Sequence, residues 1–239
     1  MSILSLNSVG KSYGAVTVVD QLTLNINAGE AVGIIGPNGA GKSSLFNVIS
    51  GLIPVDSGSI KLNEQDVTNF SLEQRCHLGI SRAFQIPKPF EGMTVYENLL
   101  VGSTFGAGRS QAESEDVAYD ILEKTGLLKQ ANVRAGSLRL LDRKRLELAK
   151  ALSTDPQILL LDEIAGGLTD RECESLIALI NNLKEGGTTI VWIEHVLRAL
   201  MAFAERLIVL NFGKKIADGK PSDVWMMPEV KQIYLGIEA

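Results

Sequence analysis

The 239-residue chain is poor in the residues that usually staple or metallate small proteins: it has two cysteines, Cys76 and Cys173, and two histidines, His77 and His195. The cysteines show no metal or redox spacing, so they are expected to be reduced thiols in a cytosolic protein. Positive charge is also short. Lys and Arg number 23 against 28 Asp and Glu, a net charge of −5. Nucleic acid is therefore not expected as the main partner, because neutralising phosphates needs a basic face; a local basic patch stays open. No apolar run approaches the ~18–20 residues of a membrane span. The opening Met1-Ser2-Ile3-Leu4-Ser5-Leu6 lacks the charged segment and long apolar stretch of a secretion signal. Any membrane role is expected to come through a partner. Hydrophobic residues at 45% and charged residues at 21% suit a globular chain long enough for a full core, as one domain or two packed lobes.

What is present is a phosphate loop. Gly36-Pro37-Asn38-Gly39-Ala40-Gly41-Lys42-Ser43 fits GxxxxGK[ST]. Ala31-Val32-Gly33-Ile34-Ile35 before it reads as a buried strand, and the stretch from Ser44 to Ser50 reads as a helix ending near Gly51. Backbone N–H groups of such a loop converge on phosphate oxygens, and the helix N-terminus adds positive potential. Lys42 is expected to reach the β- and γ-phosphates and the Ser43 hydroxyl to ligate Mg²⁺. The pattern predicts binding of a nucleoside triphosphate.

Residues 1–30 alternate apolar and polar positions, as antiparallel strands do. Strands are also expected over 59–62, 80–84, 157–162 and 188–194, and helices over 71–77 and 170–185. Between them, Pro87, Pro89 and Gly92 mark a loop, followed by helical stretches near 94–101, 111–125 and 139–153. This predicts a helical lobe of about residues 86–150 inserted into an α/β core made of 1–85 and 151–239. Two strands end in chemistry. Ile158-Leu159-Leu160-Leu161 runs into Asp162-Glu163, and Thr189-Ile190-Val191-Trp192-Ile193 runs into Glu194-His195. Strand ends are where an open α/β sheet places its ligand. Asp162 is expected to hold Mg²⁺, through water, and Glu163 to polarise an attacking water.

These motifs, in this order, resemble the nucleotide-binding subunits of ATP-binding cassette (ABC) transporters over essentially the whole chain. The similarity is greatest to the ATPases of branched-chain amino acid importers, in the stretches GISRAFQIPKPFEGMTVYENLLVG, RKRLELAKALSTDPQILLLDEIAGGL, IVWIEHV and VLNFGKKIADGKPSDVWMMPEVKQIYLG. The resemblance implies a P-loop NTPase (RecA-like) core with an N-terminal antiparallel β subdomain and the inserted helical subdomain. It implies ATP, held by Tyr13 stacked on adenine and by Gly36 to Ser44. It makes Gln85 the link from the γ-phosphate and Mg²⁺ to the helical lobe, Glu163 the general base, and His195 the switch residue at the γ-phosphate. Gly166-Gly167-Leu168-Thr169 corresponds to a loop that crosses to a second subunit; Thr169 stands where the family has Asp or Asn.

The larger departure is the signature. The family opens the helix of the inserted lobe with a sequence of the LSGGQ type, which meets the γ-phosphate bound by the opposite subunit. Here that position reads Leu138-Arg139-Leu140-Leu141-Asp142, without the serine or either glycine. Arg139 either supplies charge to that phosphate or is a solvated arginine at a helix start, and Asp142 either opposes phosphate or caps the helix. The family implies two ATPase subunits head to tail, two membrane permeases and a substrate-binding protein, at the cytoplasmic face of a membrane. The altered signature points to a heterodimer, with a homodimer as the alternative. An ATPase of a lipid or lipopolysaccharide exporter, a soluble ABC protein of DNA repair or translation, and a weakly hydrolytic regulatory subunit remain as alternatives.

Overall fold

The computed structural model describes residues 1–235; the last residues of the expected domain, 236–239, lie outside the described residues. The chain opens with two long strands, β1 (Ser2–Tyr13) and β2 (Val16–Asn27), then β3 (Ala31–Ile35) and helix α1 (Lys42–Ser50). There follow β4 (Ser57–Leu62), the short β5 (Gln65–Asp66), α2 (Leu72–His77) and β6 (Ile80–Ala83). The helical stretch contains α3 (Val95–Val101), a π-helical turn over Gly102–Gly106, α4 (Gln111–Lys124) and α5 (Leu140–Ser153). The chain continues through β7 (Ile158–Asp162), α6 (Asp170–Glu185), β8 (Thr189–Ile193), α7 (Leu197–Phe203), β9 (Arg206–Asn211), β10 (Lys214–Gly219), α8 (Pro221–Met226) and α9 (Pro228–Leu235). These bounds lie within a residue or two of the strands and helices expected above.

Two compact units divide these elements. One comprises Met1–Leu72 and the chain from Thr189 onward; the other comprises Glu73–Thr188. In the first unit β2, β1, β4 and β5 form an antiparallel sheet in that order. Along β2, Leu22, Leu24 and Ile26 are buried while Thr23 and Asn25 face out, the two-residue period of a half-buried strand. In the same unit β3 pairs in parallel with β8 and with β9, and β10 closes onto β9 antiparallel. All five residues of β3 and of β8 are buried, as parallel strands covered on both faces require. Each fully buried Ile or Val there contributes about 1.5–3 kcal/mol. Trp192 on β8 meets Phe203 of α7 edge-on, with ring centroids 5.3 Å apart.

In the second unit β6 and β7 pair in parallel, Ala83 opposite Leu161. Its helices build their own core from Val95 and Leu99 of α3, Ala118, Ile121 and Leu122 of α4, and Leu146 and Ala149 of α5. Three helices start with reciprocal capping boxes: Thr94 with Glu97, Ser110 with Glu113, and Thr169 with Glu172. Thr169 thus has a local task where the family has Asp or Asn. Its hydroxyl and backbone N–H bond the Glu172 carboxylate and hold it below the usual glutamate range.

Candidate active site

The phosphate loop lies between β3 and α1 in the first unit. Gly41 is the N-cap of α1 at φ 96°, and a Cβ there would meet the Val18 carbonyl oxygen at 2.0 Å. A side chain at 41 would be strained in the left-handed region and would also collide with β2. Because the cap is glycine, no side chain takes up the N–H groups of the first turn, and that turn carries no acid. The first-turn N–H groups and the helix dipole make this end receptive to an anion. Lys42 lies folded against the loop, its ammonium donating to the Gly36 and Pro37 carbonyls at 2.7 and 3.0 Å. Ser43 is exposed, while Ser44 is partly covered.

Tyr13 sits at the tip of the β1–β2 hairpin, opposite Val16 and half exposed, with the Lys11 ammonium 5.8 Å from its ring centroid. At the other side of β3 the register Ile34–Ile193 brings the end of β8 level with the start of the phosphate loop. His195 therefore leaves the sheet at the same edge, with its ring exposed. Buried Glu194 shapes that exit, accepting the N–H groups of His195 and Val196 at 2.9 and 3.3 Å.

The acidic strand end belongs to the second unit. The pairing of Ala83 with Leu161 lets Gln85 and Glu163 emerge side by side, each two residues further on. The Gln85 amide donates to Glu163 Oε2 at 2.5 Å. Glu163 has φ 46°, a left-handed conformation that is uncommon for a non-glycine residue and recurs at functional sites. Asp162 is buried and ion-paired with Arg82 of β6, whose guanidinium also lies 4.8 Å from the Phe84 ring centroid. Sequence reading singled out Asp162 and missed Arg82. No local signal marks it, because beside Ser81 in the short strand Ile80–Ala83 it reads as a solvent-facing arginine.

The donors expected for Mg²⁺ are the Ser43 hydroxyl, the Gln85 amide oxygen and the Asp162 carboxylate. All are hard oxygen groups of the kind this ion takes beside phosphate and water. The Asp162 carboxylate is engaged by Arg82 in this structure.

At the signature position Leu138 is buried, and Arg139 is the N-cap of α5 but makes no side-chain cap hydrogen bond. Asp142 lies in the first turn with Arg145 at 3.9 Å, so it does not cap the helix. Arg143 reaches back to the carbonyls of Gly136 and Leu138, at 2.5 and 3.0 Å.

Comparison with known proteins fits this arrangement. A family pattern described as ABC transporter matches residues 19–166. The high-affinity branched-chain amino acid transport ATP-binding protein LivG of Escherichia coli (strain K12) is 36% identical, over 98% of both chains. The lipopolysaccharide export system ATP-binding protein LptB of Escherichia coli (strain K12) is 31% identical over 99% of this chain and 98% of that one. A solved ATP-binding cassette of an ABC transporter, in its ADP conformation, superposes with a TM-score of 0.88 at 33% identity, covering 99% of this chain and 100% of that one. A dimeric cassette in a post-hydrolysis state with ADP and phosphate gives 0.81 at 27% identity, covering 91% and 98%. The fold is thus a P-loop NTPase core with an antiparallel β subdomain and helices, and the chain belongs to the ABC transporter family as one of its ATP-binding, ATP-hydrolysing members.

Proposed function

We propose that the chain is the ATP-hydrolysing subunit of an importer for branched-chain or related amino acids, working at the cytoplasmic face of a membrane with permease partners. The observation that carries this reading is the whole-length similarity to LivG, 36% over 98% of both chains. Among the described residues no helix is long and apolar enough to cross a membrane, so transport through this chain calls for a membrane partner.

ATP binds with its adenine on Tyr13 and its phosphates in the loop from Gly36 to Ser44. Lys42 leaves the loop carbonyls and turns to the β- and γ-phosphates, and the first-turn N–H groups of α1 take the remaining oxygens. Ser43, Gln85 and Asp162 hold Mg²⁺, which when bound neutralises charge on the β- and γ-phosphate oxygens. Glu163 accepts the proton of the attacking water, and the Gln85 amide orients its carboxylate. His195 donates to the γ-phosphate. Such chemistry is mostly positioning and electrostatics. Residues 86–150 act as the helical lobe that meets the permease, and a second ATPase subunit supplies the signature facing this chain's ATP. The dimeric relative bound to ADP and phosphate supports that pairing.

The similarity to LptB, 31% over nearly the whole chain, keeps lipopolysaccharide export as the second reading. Reconstitution in proteoliposomes with candidate permease partners separates the two. ATP-dependent leucine uptake, abolished by Glu163→Gln, is the expected result. Lipopolysaccharide extraction without amino acid uptake would overturn the import reading.

A further inference from the structure

The backbone around Gln85 is held by charged side chains that the sequence would place on a solvent face. Lys144 and Glu147 of α5 are 3% and 4% exposed. Lysine and glutamate are almost never that buried unless paired, because removing a charge from water is costly without hydrogen bonds. Here the bonds go to one short segment. The Lys144 ammonium donates to the Gln85 carbonyl. Glu147 accepts the N–H of Lys88 at 3.1 Å and that of Phe84 at 3.5 Å. Lys150 donates to the Lys88 carbonyl at 2.7 Å and lies 3.5 Å from Glu147. The spacing 144, 147, 150 puts the three side chains on one stripe of the helix.

The far end of the segment is fixed as well. Asn98 of α3, wholly buried, accepts the Phe90 N–H at 2.8 Å and donates to the Phe90 carbonyl at 3.1 Å. The backbone of residues 84–90 is therefore tied at both ends, while the side chains of Gln85 and Ile86 stay exposed. The other end of α5 touches the loop that follows Glu163. A Cβ at Gly167 would lie 3.3 Å from Leu140 Cδ2.

We propose that Lys144, Glu147 and Lys150 are positioning residues for ATP hydrolysis: they fix residues 84–88 to α5, so that Gln85 and the segment Leu138–Asp142 move as one body. The inference rests on the role assigned above to Gln85.

A double-mutant cycle on the full-length chain, assembled with its partner ATPase and permeases, tests it, with Lys144→Met, Lys144→Arg, Gln85→Ala and the Gln85→Ala/Lys144→Met pair. Lys144→Met is expected to lower kcat for ATP about tenfold, as small misplacements of a catalytic group do, while the affinity for ATP stays within about twofold. Lys144→Arg, which keeps a cationic donor, should recover most of the rate. In the Gln85→Ala background Lys144→Met should cost nothing further, because residues acting through one another are not additive. Amide exchange at Phe84 and Lys88 should quicken in Glu147→Ala while the α4 amides stay protected. Additive losses, or loss of protection throughout the helices, would overturn the positioning role and leave only a structural one. Normal turnover by Gln85→Ala would overturn both this inference and the role of Gln85 itself. Impaired Gln85→Ala with additive Lys144→Met would remove this inference alone.

Discussion

The two compact units hold their candidate functional groups by different means. In the first, the phosphate end is made of backbone: a glycine N-cap, first-turn N–H groups and loop carbonyls that park Lys42. In the second, the acidic strand end is made of side chains held by other side chains, Glu163 by Gln85 and Asp162 by Arg82. A backbone cradle serves any triphosphate and depends on a few small residues in fixed order. A side-chain assembly depends on partners far apart in the chain. Substitutions should therefore act on affinity in the first unit, and on rate or stability in the second.

The largest effect is expected at Glu163. Glu163→Gln removes the proton acceptor and keeps the shape, so turnover should fall about 10²–10⁴-fold while ATP still binds. Steady-state phosphate release and equilibrium ATP binding measure the two halves. Near-normal hydrolysis would remove the general-base role.

Arg82→Met should come next, and chiefly in stability. It leaves the Asp162 carboxylate buried without its counter-charge, and breaking such a pair costs about 3–5 kcal/mol. For a chain this long that corresponds to a melting temperature lower by roughly 10 °C. Arg82→Lys should lose much less. Added Mg²⁺ and ATP should restore part of the stability in Arg82→Met, since bound ligand stabilises the folded state. An unchanged melting curve would mean that the pair contributes little.

Lys42→Ala probes the backbone-built end. Its lost contribution is that of a charge-assisted hydrogen bond, about 1.5–3 kcal/mol, or about 10- to 150-fold in ATP affinity. The loop itself should fold unchanged, because α1 keeps its glycine cap. Titration with a fluorescent ATP analogue checks this, and unchanged affinity would contradict the phosphate-loop assignment.

The same contrast explains what was legible in the sequence. The phosphate loop could be read because its residues are contiguous and each has a local reason, as Gly41 does at φ 96°. The strands β3, β7 and β8 were legible as short β-branched or apolar runs, and α3 to α5 as helical stretches after the loop marked by Pro87, Pro89 and Gly92. Asp162, Glu163 and His195 stood out only because each follows an apolar strand. Arg82 and the stripe Lys144, Glu147 and Lys150 were invisible for the opposite reason. Charged residues in a strand or helix normally face water, and only the pairing of β6 with β7 and the packing of α5 against residues 84–88 turn them inward. The π-helical turn over Gly102–Gly106 also carried no local signal. It lies between the helical stretches expected over 94–101 and 111–125, and it continues α3 against Ser153 and Thr154.

The smallest effect is expected where the second unit copies the device of the first. Helix α5, like α1, starts without a side-chain cap hydrogen bond, but Arg139 stands at its N-cap and Leu140, Leu141 and Asp142 fill its first turn, where α1 has Gly41 followed by Lys42, Ser43 and Ser44. Leucine side chains keep a phosphate from approaching the backbone, and Asp142 opposes its charge. Arg139 is exposed at the N-cap and Arg143 is engaged with loop carbonyls, so Arg139 is the cation there that can meet an incoming anion. In a transporter assembled with a partner ATPase of intact signature, the ATP on this chain's phosphate loop meets the better contacts. Disabling Glu163 should then cost most of the hydrolysis, and disabling the partner's equivalent glutamate much less. Arg139→Ala should lower turnover at the weaker site by about tenfold or less, the worth of one exposed charge-assisted contact. Replacing Arg139 by Ser and Leu140 and Leu141 by Gly should raise it instead, by opening the backbone to phosphate. Turnover of each assembled mutant, with the partner's glutamate intact and disabled, reads the two sites separately. Equal losses from the two glutamate mutants would show that α5 serves phosphate as well as an intact signature does, and the contrast between the two helix ends would then be one of sequence alone.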